Sequence, residues 1–398
     1  MPRLLLINVC ANWGSTGKIA EQIGVCAEKN GWNCFFAYGR SSNPSKLNLI
    51  KIGNKWDVYR HYAEYRFFDN EGLVSVKATK QFLKDVDELK PDIVHLHNIH
   101  DHYINFPLLF SYLREKKLPV IWTQHDQWAI TGHCGVNLVG CNKWKTGCDN
   151  CPQLFRWQRD RSNRNYVIKK QLFTGMENMT LVPVSEWLGS IFRQSFLYEK
   201  KIHVIHNGVD TSIFYPRKTD IKKRYGVNDK KIILGVATTW SPGKNLDHYC
   251  RLSKLLTDDW RIILVGLTQR QIKGLPSGVI GIQRTNSQEE LAQFYSASNV
   301  VMSLSESETF GLTIAEGLAC GTPGIVYNNT AQPELISENT GAVVANGDFK
   351  ALIGAINRFS NKTEASVEEC RNRALELFDA ATGYNEYIKL YEQVLLKE

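Results

Sequence analysis

The sequence predicts an α/β protein built from two doubly wound halves. Short apolar runs alternate with amphipathic segments in the rhythm of a parallel sheet. That rhythm stops near His203-Val-Ile-His-Asn-Gly-Val-Asp210 and then starts again. Composition agrees: 398 residues, 43% hydrophobic and 22% charged, are enough for two cores. No apolar run reaches the roughly 18 residues expected of a membrane-spanning helix.

In the first half, Leu4–Asn8, Asn33–Tyr38, Asp92–His97, Pro119–Thr123 and Thr180–Val184 read as buried strands. Lys18–Asn30, Lys77–Glu88, Pro107–Lys116 and Glu186–Gln194 carry helical spacing between or after them. The opening Met-Pro-Arg-Leu-Leu-Leu-Ile-Asn-Val has one Arg and a short apolar run. It reads as the first strand rather than a signal peptide, which gives cytoplasmic residence as the expectation. In the second half, Lys231–Val236, Arg261–Val265, Gly278–Ile282, Asn299–Leu304 and Gly324–Tyr327 are strands. Asn245–Leu256 and Gln288–Ser296 are helices between them. The last segment, Tyr384–Lys397, places Tyr387, Ile388, Tyr391 and Leu395 on one helical stripe. The expected organisation is a domain over 1–205, a second over 206–380 and a terminal helix over 381–398.

The net charge of +8 lies entirely in the first half: residues 1–200 hold 26 Lys/Arg against 18 Asp/Glu, and the rest hold 22 of each. The densest stretch is Arg156–Lys170. It is either a solvated face or a means of attraction to an anionic surface such as a bilayer or a lipid diphosphate. Trp157, Tyr166, Leu172 and Phe173 interleave with it as an interfacial helix would require. No recognition motif accompanies the charge, so no nucleic-acid partner is expected.

Chemistry concentrates at four places. The first is Glu308-Thr-Phe-Gly-Leu-Thr-Ile-Ala-Glu316, between an apolar strand and the next one. Glu308 falls in a strand-to-helix loop, and Glu316 falls about two turns into the helix. In an open α/β sheet that edge binds ligand. Carboxylates there accept hydrogen bonds from sugar or ribose hydroxyls, and the helix N-terminus attracts phosphate. The alternative is an acid offsetting the helix dipole beside another on a solvated face. The second place is Trp13-Gly-Ser-Thr-Gly-Lys18, where Gly14, Ser15, Thr16 and Gly17 separate the first strand from its helix. Its spacing is too short for a Walker A loop, but its glycines allow a diphosphate to approach the backbone. The third is Lys244, after the first strand of the second half. The fourth is the histidine-rich edge, with His95, His97, Asn98, His100 and His102 after one strand and His125-Asp126 after another. His95 and His97 share a strand face, whereas Asp126 does not share that of His125.

Ten cysteines in a cytoplasmic chain point away from disulfides. Cys134, Cys141, Cys148 and Cys151 fall within eighteen residues and end in C-x2-C. Four thiolates would make a closed, structural tetrahedral zinc site, and a redox pair or free thiols are the alternatives.

E-x-F-G-L-x-x-x-E-x-x-A-x-G-x-P resembles the donor-site signature of the family 4 glycosyltransferases, retaining enzymes of the GT-B fold. Asn207-Gly-Val-Asp210 is similar to their interdomain linker, and the cysteine segment resembles an insertion in transferases of colanic-acid, O-antigen and exopolysaccharide synthesis. The resemblance implies two Rossmann-like domains facing a cleft, with the terminal helix returning to the first. It implies transfer of a hexose from a UDP- or GDP-sugar to a glycan or lipid-diphosphate-linked acceptor, with no catalytic metal. Glu308 with Thr309, Phe310, Gly311 and Leu312 would hold the donor sugar, Glu316 the ribose and Lys244 the diphosphate. Gly14–Gly17 and His125 would close on the donor, and His97, Asn98 and Asp126 would line the acceptor side. The family commonly adds an Arg beside the Lys; here Thr239 or Gly243 stands near its place, leaving Arg284 or Lys18 as substitutes. A GT-B epimerase or phosphorylase is the alternative enzyme, and a non-enzymatic binder of sugar nucleotide or nucleic acid, using the zinc loop and the basic half, is a third reading.

Overall fold

The computed structural model describes residues 1–136 and 140–396. The chain divides into two compact units, Met1–Ile205 together with Tyr384–Glu398, and His206–Gly383.

The first unit holds β1 (Arg3–Asn8), β2 (Asn33–Tyr38), β3 (Asn48–Lys51), β4 (Ile93–Leu96), β5 (Val120–Gln124), β6 (Met179–Pro183) and β7 (Lys201–Ile202). The second holds β8 (Lys231–Val236), β9 (Trp260–Val265), β10 (Val279–Ile282), β11 (Val300–Ser303), β12 (Gly324–Tyr327) and β13 (Gly341–Val344). Among the described residues these form sheets of seven and six strands, in the orders β3-β2-β1-β4-β5-β6-β7 and β10-β9-β8-β11-β12-β13. Every pairing is parallel, with Leu4 opposite Ile93 in the first and Val300 opposite Ile233 in the second. Parallel strands need crossovers, and apolar runs such as Ile233-Leu234 and Val300-Val301 are wholly buried, as strands covered on both faces are.

In both sheets the winding direction reverses beside the founding strand, between β1 and β4 and again between β8 and β11. The loops leaving those strand pairs diverge and open a crevice at the strand C-termini. The four sequence-derived places of chemistry lie at or beside these reversals. The second core, with Ile233, Trp240, Tyr249, Leu264, Met302 and Tyr327, lies under its crevice and fixes the loops above it.

One boundary and one exposure differ from the sequence reading. The first helix begins at Gly14, not at Lys18, so Gly14–Gly17 is its first turn and not a free loop. Gly17 cannot carry a side chain, because a Cβ would meet the Cys10 carbonyl oxygen at 2.7 Å. The segment Ser162–Thr174 does form a helix, but Tyr166 and Phe173 are buried in the core. That removes two of the four apolar residues expected to make it interfacial. A further helix, Lys55–Phe68, escaped the sequence reading. It is opened by a capping box in which Asn54 Oδ1 accepts from the Trp56 and Asp57 N–H groups, at 2.8 and 3.3 Å. Such a cap contributes about 1 kcal/mol. Only His61 is buried along its length, so no apolar stripe marked it.

Candidate active site

In the second unit the crevice between β8 and β11 gathers opposite charges. The loop after β8 tightens into a short turn, Pro242–Lys244, and Asn245 ties it across the reversal by donating to the Leu304 carbonyl at 2.9 Å. The Glu306 N–H donates to the Gly243 carbonyl at 2.9 Å and closes the same seam. These bonds bring the Lys244 ammonium against the Glu308 carboxylate, in an ion pair whose side chains are both only partly exposed. Glu308 is clamped through its backbone. Its N–H donates to Thr330 Oγ1 at 2.8 Å, and Thr330 Oγ1 donates back to its carbonyl at 2.7 Å.

Beyond Glu308 the chain turns at Gly311, whose φ of +111° lies in the region that favours glycine. The helix Leu312–Ala319 starts there with no side chain capping its first N–H groups. Those donors and the helix dipole make an electropositive end beside the ion pair. Phe310 packs inward against Phe378 and His206, so of this residue only the backbone remains for a ligand. Thr309 and Leu312 are partly exposed beside it. Glu316 lies further along the helix, partly buried, and its carboxylate accepts from the Tyr295 hydroxyl at 2.8 Å. Ser305 Oγ and Gln332 Oε1 are buried nearby without a partner among the described residues. Arg284 follows β10, two strands from β8, or about 10 Å along the sheet.

The first unit's crevice is chemically different. Asn8 at the end of β1 accepts from the Asn98 N–H at 3.1 Å, so Asn98 is held at the reversal between β1 and β4. Next to it, His97 Nδ1 lies 3.0 Å from His125 Nε2, with the rings stacked at 18°. One of these nitrogens carries the proton and the other accepts it, so the two tautomers are linked. His95 sits behind them, bonded to Tyr391 at 2.6 Å and to Thr123 at 2.8 Å. Thr123 in turn donates to Tyr387 at 3.0 Å, so the terminal helix is fastened under this edge. Burial lowers the pKa of His95 to about 3 and that of His125 to about 4, and pushes His97 well below the ordinary imidazole range. Asp126 turns away from His125 and pairs with His100 at 2.9 Å. Burial pulls the His100 pKa down, but Asp126 and Asp101 outweigh it and hold the pKa well above the usual value. Gly14, Ser15, Thr16 and Gly17 present the first helix turn, with no side-chain cap. A cavity of about 280 Å³ also lies in this unit, but it is lined by Pro119, Met179, His203 and Leu390, away from the strand ends that carry the chemistry.

The cysteine loop is fastened to the same unit. Gln153 donates to the Val136 carbonyl at 2.8 Å, and Lys143 donates to the Asp149 and Asn150 carbonyls at 2.7 and 3.1 Å. The buried Lys169 ammonium donates to the Trp128 and Thr131 carbonyls at its root, at 2.6 and 3.0 Å, and burial lowers its pKa to about 7. Cys134, Cys141, Cys148 and Cys151 form no disulfide. Burial pushes Cys134 up to about 12. Burial also raises Cys151, against the pull of the Gln153 and Leu154 N–H groups that bond its sulfur. Among the described residues no three or more His, Cys, Asp or Glu side chains are gathered to hold a metal ion. The donor chemistry of the four thiols suits zinc.

Sequence reasoning singled out the two acids, the lysine and the histidine edge. It missed Tyr295, Thr330, Asn8 and Asn245. Tyr295 reads as one more apolar residue on a helix, and nothing local marks it as the partner of a carboxylate 21 positions away.

Comparison with known proteins bears on these arrangements. WcaC of Escherichia coli (strain K12), whose name describes a colanic acid biosynthesis glycosyl transferase, is 23% identical over 98% of this chain and 100% of its own length. A GDP-mannose-dependent alpha-(1-6)-phosphatidylinositol dimannoside mannosyltransferase of Mycobacterium tuberculosis is 28% identical over 43% of this chain and 47% of its own. Among solved structures, sucrose-phosphate synthase from Thermosynechococcus elongatus superimposes with a TM-score of 0.73 at 17% identity, covering 100% of both chains. Anabaena HepE in complex with UDP gives 0.69 at 15% identity, over 99% of this chain and 100% of its own. The fold is GT-B. The family model "Glycosyltransferase Family 4" matches residues 23–213 and "Glycosyl transferases group 1" matches residues 217–376. The chain is a glycosyltransferase, with a Family 4 domain followed by a group 1 domain.

Proposed function

We propose that the protein is a retaining hexosyltransferase. It would use a UDP- or GDP-sugar and act on a glycan or lipid-linked oligosaccharide in bacterial surface polysaccharide synthesis. The observation that carries this reading is the meeting of Lys244 and Glu308 at the β8–β11 reversal, beside an uncapped helix start. A diphosphate entering there takes the Lys244 ammonium, whose charge opposes the negative charge that builds as the glycosidic bond breaks. Glu308 is then released to accept from the sugar hydroxyls, with the N–H groups of Phe310, Gly311 and Leu312 as donors beside it. Glu316, steadied by Tyr295, accepts from the ribose hydroxyls. The acceptor hydroxyl attacks from the face the leaving phosphate departs from, and a phosphate oxygen takes its proton. His125 would contact the donor sugar, with Gly14–Gly17 closing on the donor. His97, Asn98 and Asp126 would serve the acceptor. The names of WcaC and the mycobacterial mannosyltransferase support a surface-glycan role, and the UDP of the HepE complex supports a nucleotide donor.

A thermal-shift screen against UDP-, GDP- and ADP-sugars tests the donor, because a ligand that binds only the folded state raises the melting temperature. A UDP- or GDP-sugar should raise it, and transfer of labelled sugar with retained configuration should follow. A protein shifted by none of them does not fit the proposal. On spacing and donor chemistry alone, the four-cysteine loop is proposed to take one structural zinc. Metal analysis should find about one zinc per chain in the wild type and none in Cys148→Ser/Cys151→Ser; a metal-free wild type refutes the site.

A further inference from the structure

The helix Lys55–Phe68 turns aromatic side chains to solvent. Trp56, Tyr59 and Phe67 are 70, 61 and 56% exposed, and Phe68 is exposed as well. Positions 56, 59, 63 and 67 recur at helical spacing, so Trp56, Tyr59 and Phe67 form one outward stripe along about 16 Å of helix. The inward side carries the buried His61. This is the reverse of an ordinary surface helix, which turns its apolar stripe to the core.

The stripe continues onto a second segment. Phe155 and Trp157 are exposed, stack at 15° with centroids 5.6 Å apart, and Trp157 lies 5.7 Å from Phe67. Two hydrogen bonds fix this join: the Gln158 side-chain amide donates to the Tyr65 carbonyl at 2.9 Å, and the Arg159 N–H donates to the Phe67 carbonyl at 3.3 Å. The Arg66 guanidinium lies over both rings, 4.1 Å from Phe155 and 4.4 Å from Trp157. The aromatic surface is therefore continuous and held in place by its own hydrogen bonds.

Charge around it is mostly positive. Arg60, Arg156 and Arg159 are exposed at its margin. The neighbouring acids are engaged locally: Asp57 accepts from the Asn54 N–H at 3.0 Å, Glu64 from Asn70 at 2.7 Å, and Asp160 from Ser162 and the Cys151 N–H. Exposed Trp, Tyr and Phe with arginine at the rim, on a convex helix, match the requirements of an anionic bilayer surface. There the rings settle at headgroup level and the guanidinium groups meet lipid phosphates. We propose that the outward stripe of Lys55–Phe68, continued by Phe155 and Trp157, is a docking surface for an anionic phospholipid membrane. It replaces the Ser162–Thr174 helix, which keeps Tyr166 and Phe173 inside.

The test is flotation of the full chain with vesicles, in the absence of any nucleotide sugar, so its outcome is independent of the transfer reaction. Vesicles containing about one third phosphatidylglycerol should carry the protein up at about 0.05 M salt, and pure phosphatidylcholine should carry at least about tenfold less. Phe67→Glu/Trp157→Glu should lower binding to the anionic vesicles by at least about tenfold, with an unchanged circular dichroism spectrum because both side chains are exposed. Arg60→Ala/Arg156→Ala/Arg159→Ala should remove most of the preference for anionic lipid. Wild type that stays at the bottom of the gradient, or a Phe67→Glu/Trp157→Glu protein that floats as well as wild type, overturns the proposal. If wild type does not float and self-associates in a way the same double variant abolishes, the face belongs to a protein contact instead.

Discussion

The two sheets share one winding pattern, yet their reversals hold opposite chemistry. At β8–β11 a cation and a carboxylate meet within reach of water, beside free helix N–H groups. At β1–β4 the side chains are imidazoles, sealed from solvent and bonded to one another or to tyrosine and threonine. The topology dictates where each crevice opens but leaves its contents free. A charged, accessible crevice can exchange its internal ion pair for a ligand's charges. A buried neutral one is expensive to protonate and fixes orientation instead.

That contrast is broken most directly with acid. The four histidines that are buried among the described residues, His61, His95, His97 and His125, all lie in the first unit. Burial lowers His61 and His125 to about 4 and His95 to about 3, while His97 lies well below its ordinary range. In the unfolded chain each titrates near about 6.5. Between that value and the folded ones the unfolded state binds more protons, so stability falls as pH falls through the window. His100 runs the other way: its raised pKa contributes stability below about 6.5 that is lost as pH rises through its folded value. Four groups against one leave the first unit acid-labile, by on the order of 2 kcal/mol per buried imidazole at pH 5. Urea-pulse proteolysis, with fragments assigned by mass, should show Met1–Ile205 cut at lower urea at pH 5 than at pH 7, with His206–Gly383 changing much less. Equal sensitivity of the two units would erase the distinction.

The charged crevice should dominate turnover. Glu308→Ala is expected to lower kcat by about 100-fold or more and leave the melting temperature nearly unchanged, since the backbone bonds to Thr330 survive the truncation. Lys244→Ala should cost somewhat less, about 10- to 100-fold in kcat/KM, and Lys244→Arg should recover part of it because the cation is kept. Steady-state rates with the donor found by thermal shift measure both. A Glu308→Ala protein with wild-type turnover would falsify the placement of the donor sugar at this reversal.

How much of this was legible beforehand differs between the elements and the contacts. The strands were readable because both faces of each are covered, which writes continuous apolar runs such as Leu4–Ile7 and Ile232–Leu234 into the sequence. Glu308, Lys244 and His125 stood out as candidates because each follows such a run, at the C-terminal edge of its sheet. The short strand Asn48–Lys51 was not readable: at the sheet margin it is largely exposed and carries no apolar run. The helix Lys55–Phe68 was hidden for a related reason, since its aromatics face outward and only its Asn54 cap announces it. Pairwise contacts left no local trace at all. The bond from His95 to Tyr391 spans 296 positions, and neither residue alone differs from an ordinary core side chain.

The finest division within the charged crevice lies between Glu308 and Glu316. Glu308 pairs with a cation that a ligand can displace, whereas Glu316 is bonded to Tyr295, whose hydroxyl is fixed by a buried ring. Glu316 should therefore be oriented before a ligand arrives. Its contribution should show in nucleotide affinity more than in turnover. Tyr295→Phe removes only that hydroxyl and leaves the ring in the core, so the fold should hold. Losing a hydrogen bond to a carboxylate costs about 1.5 kcal/mol or less here, because Glu316 is only partly buried and water can replace the hydroxyl. The expected result is a Kd for the nucleotide weakened by about three- to tenfold, with kcat within about twofold of wild type. Calorimetric titration of the nucleoside diphosphate beside steady-state rates separates the two. Should Tyr295→Phe lower kcat and leave the Kd alone, Glu316 serves the reacting sugar, and the division of labour between the two acids is reversed.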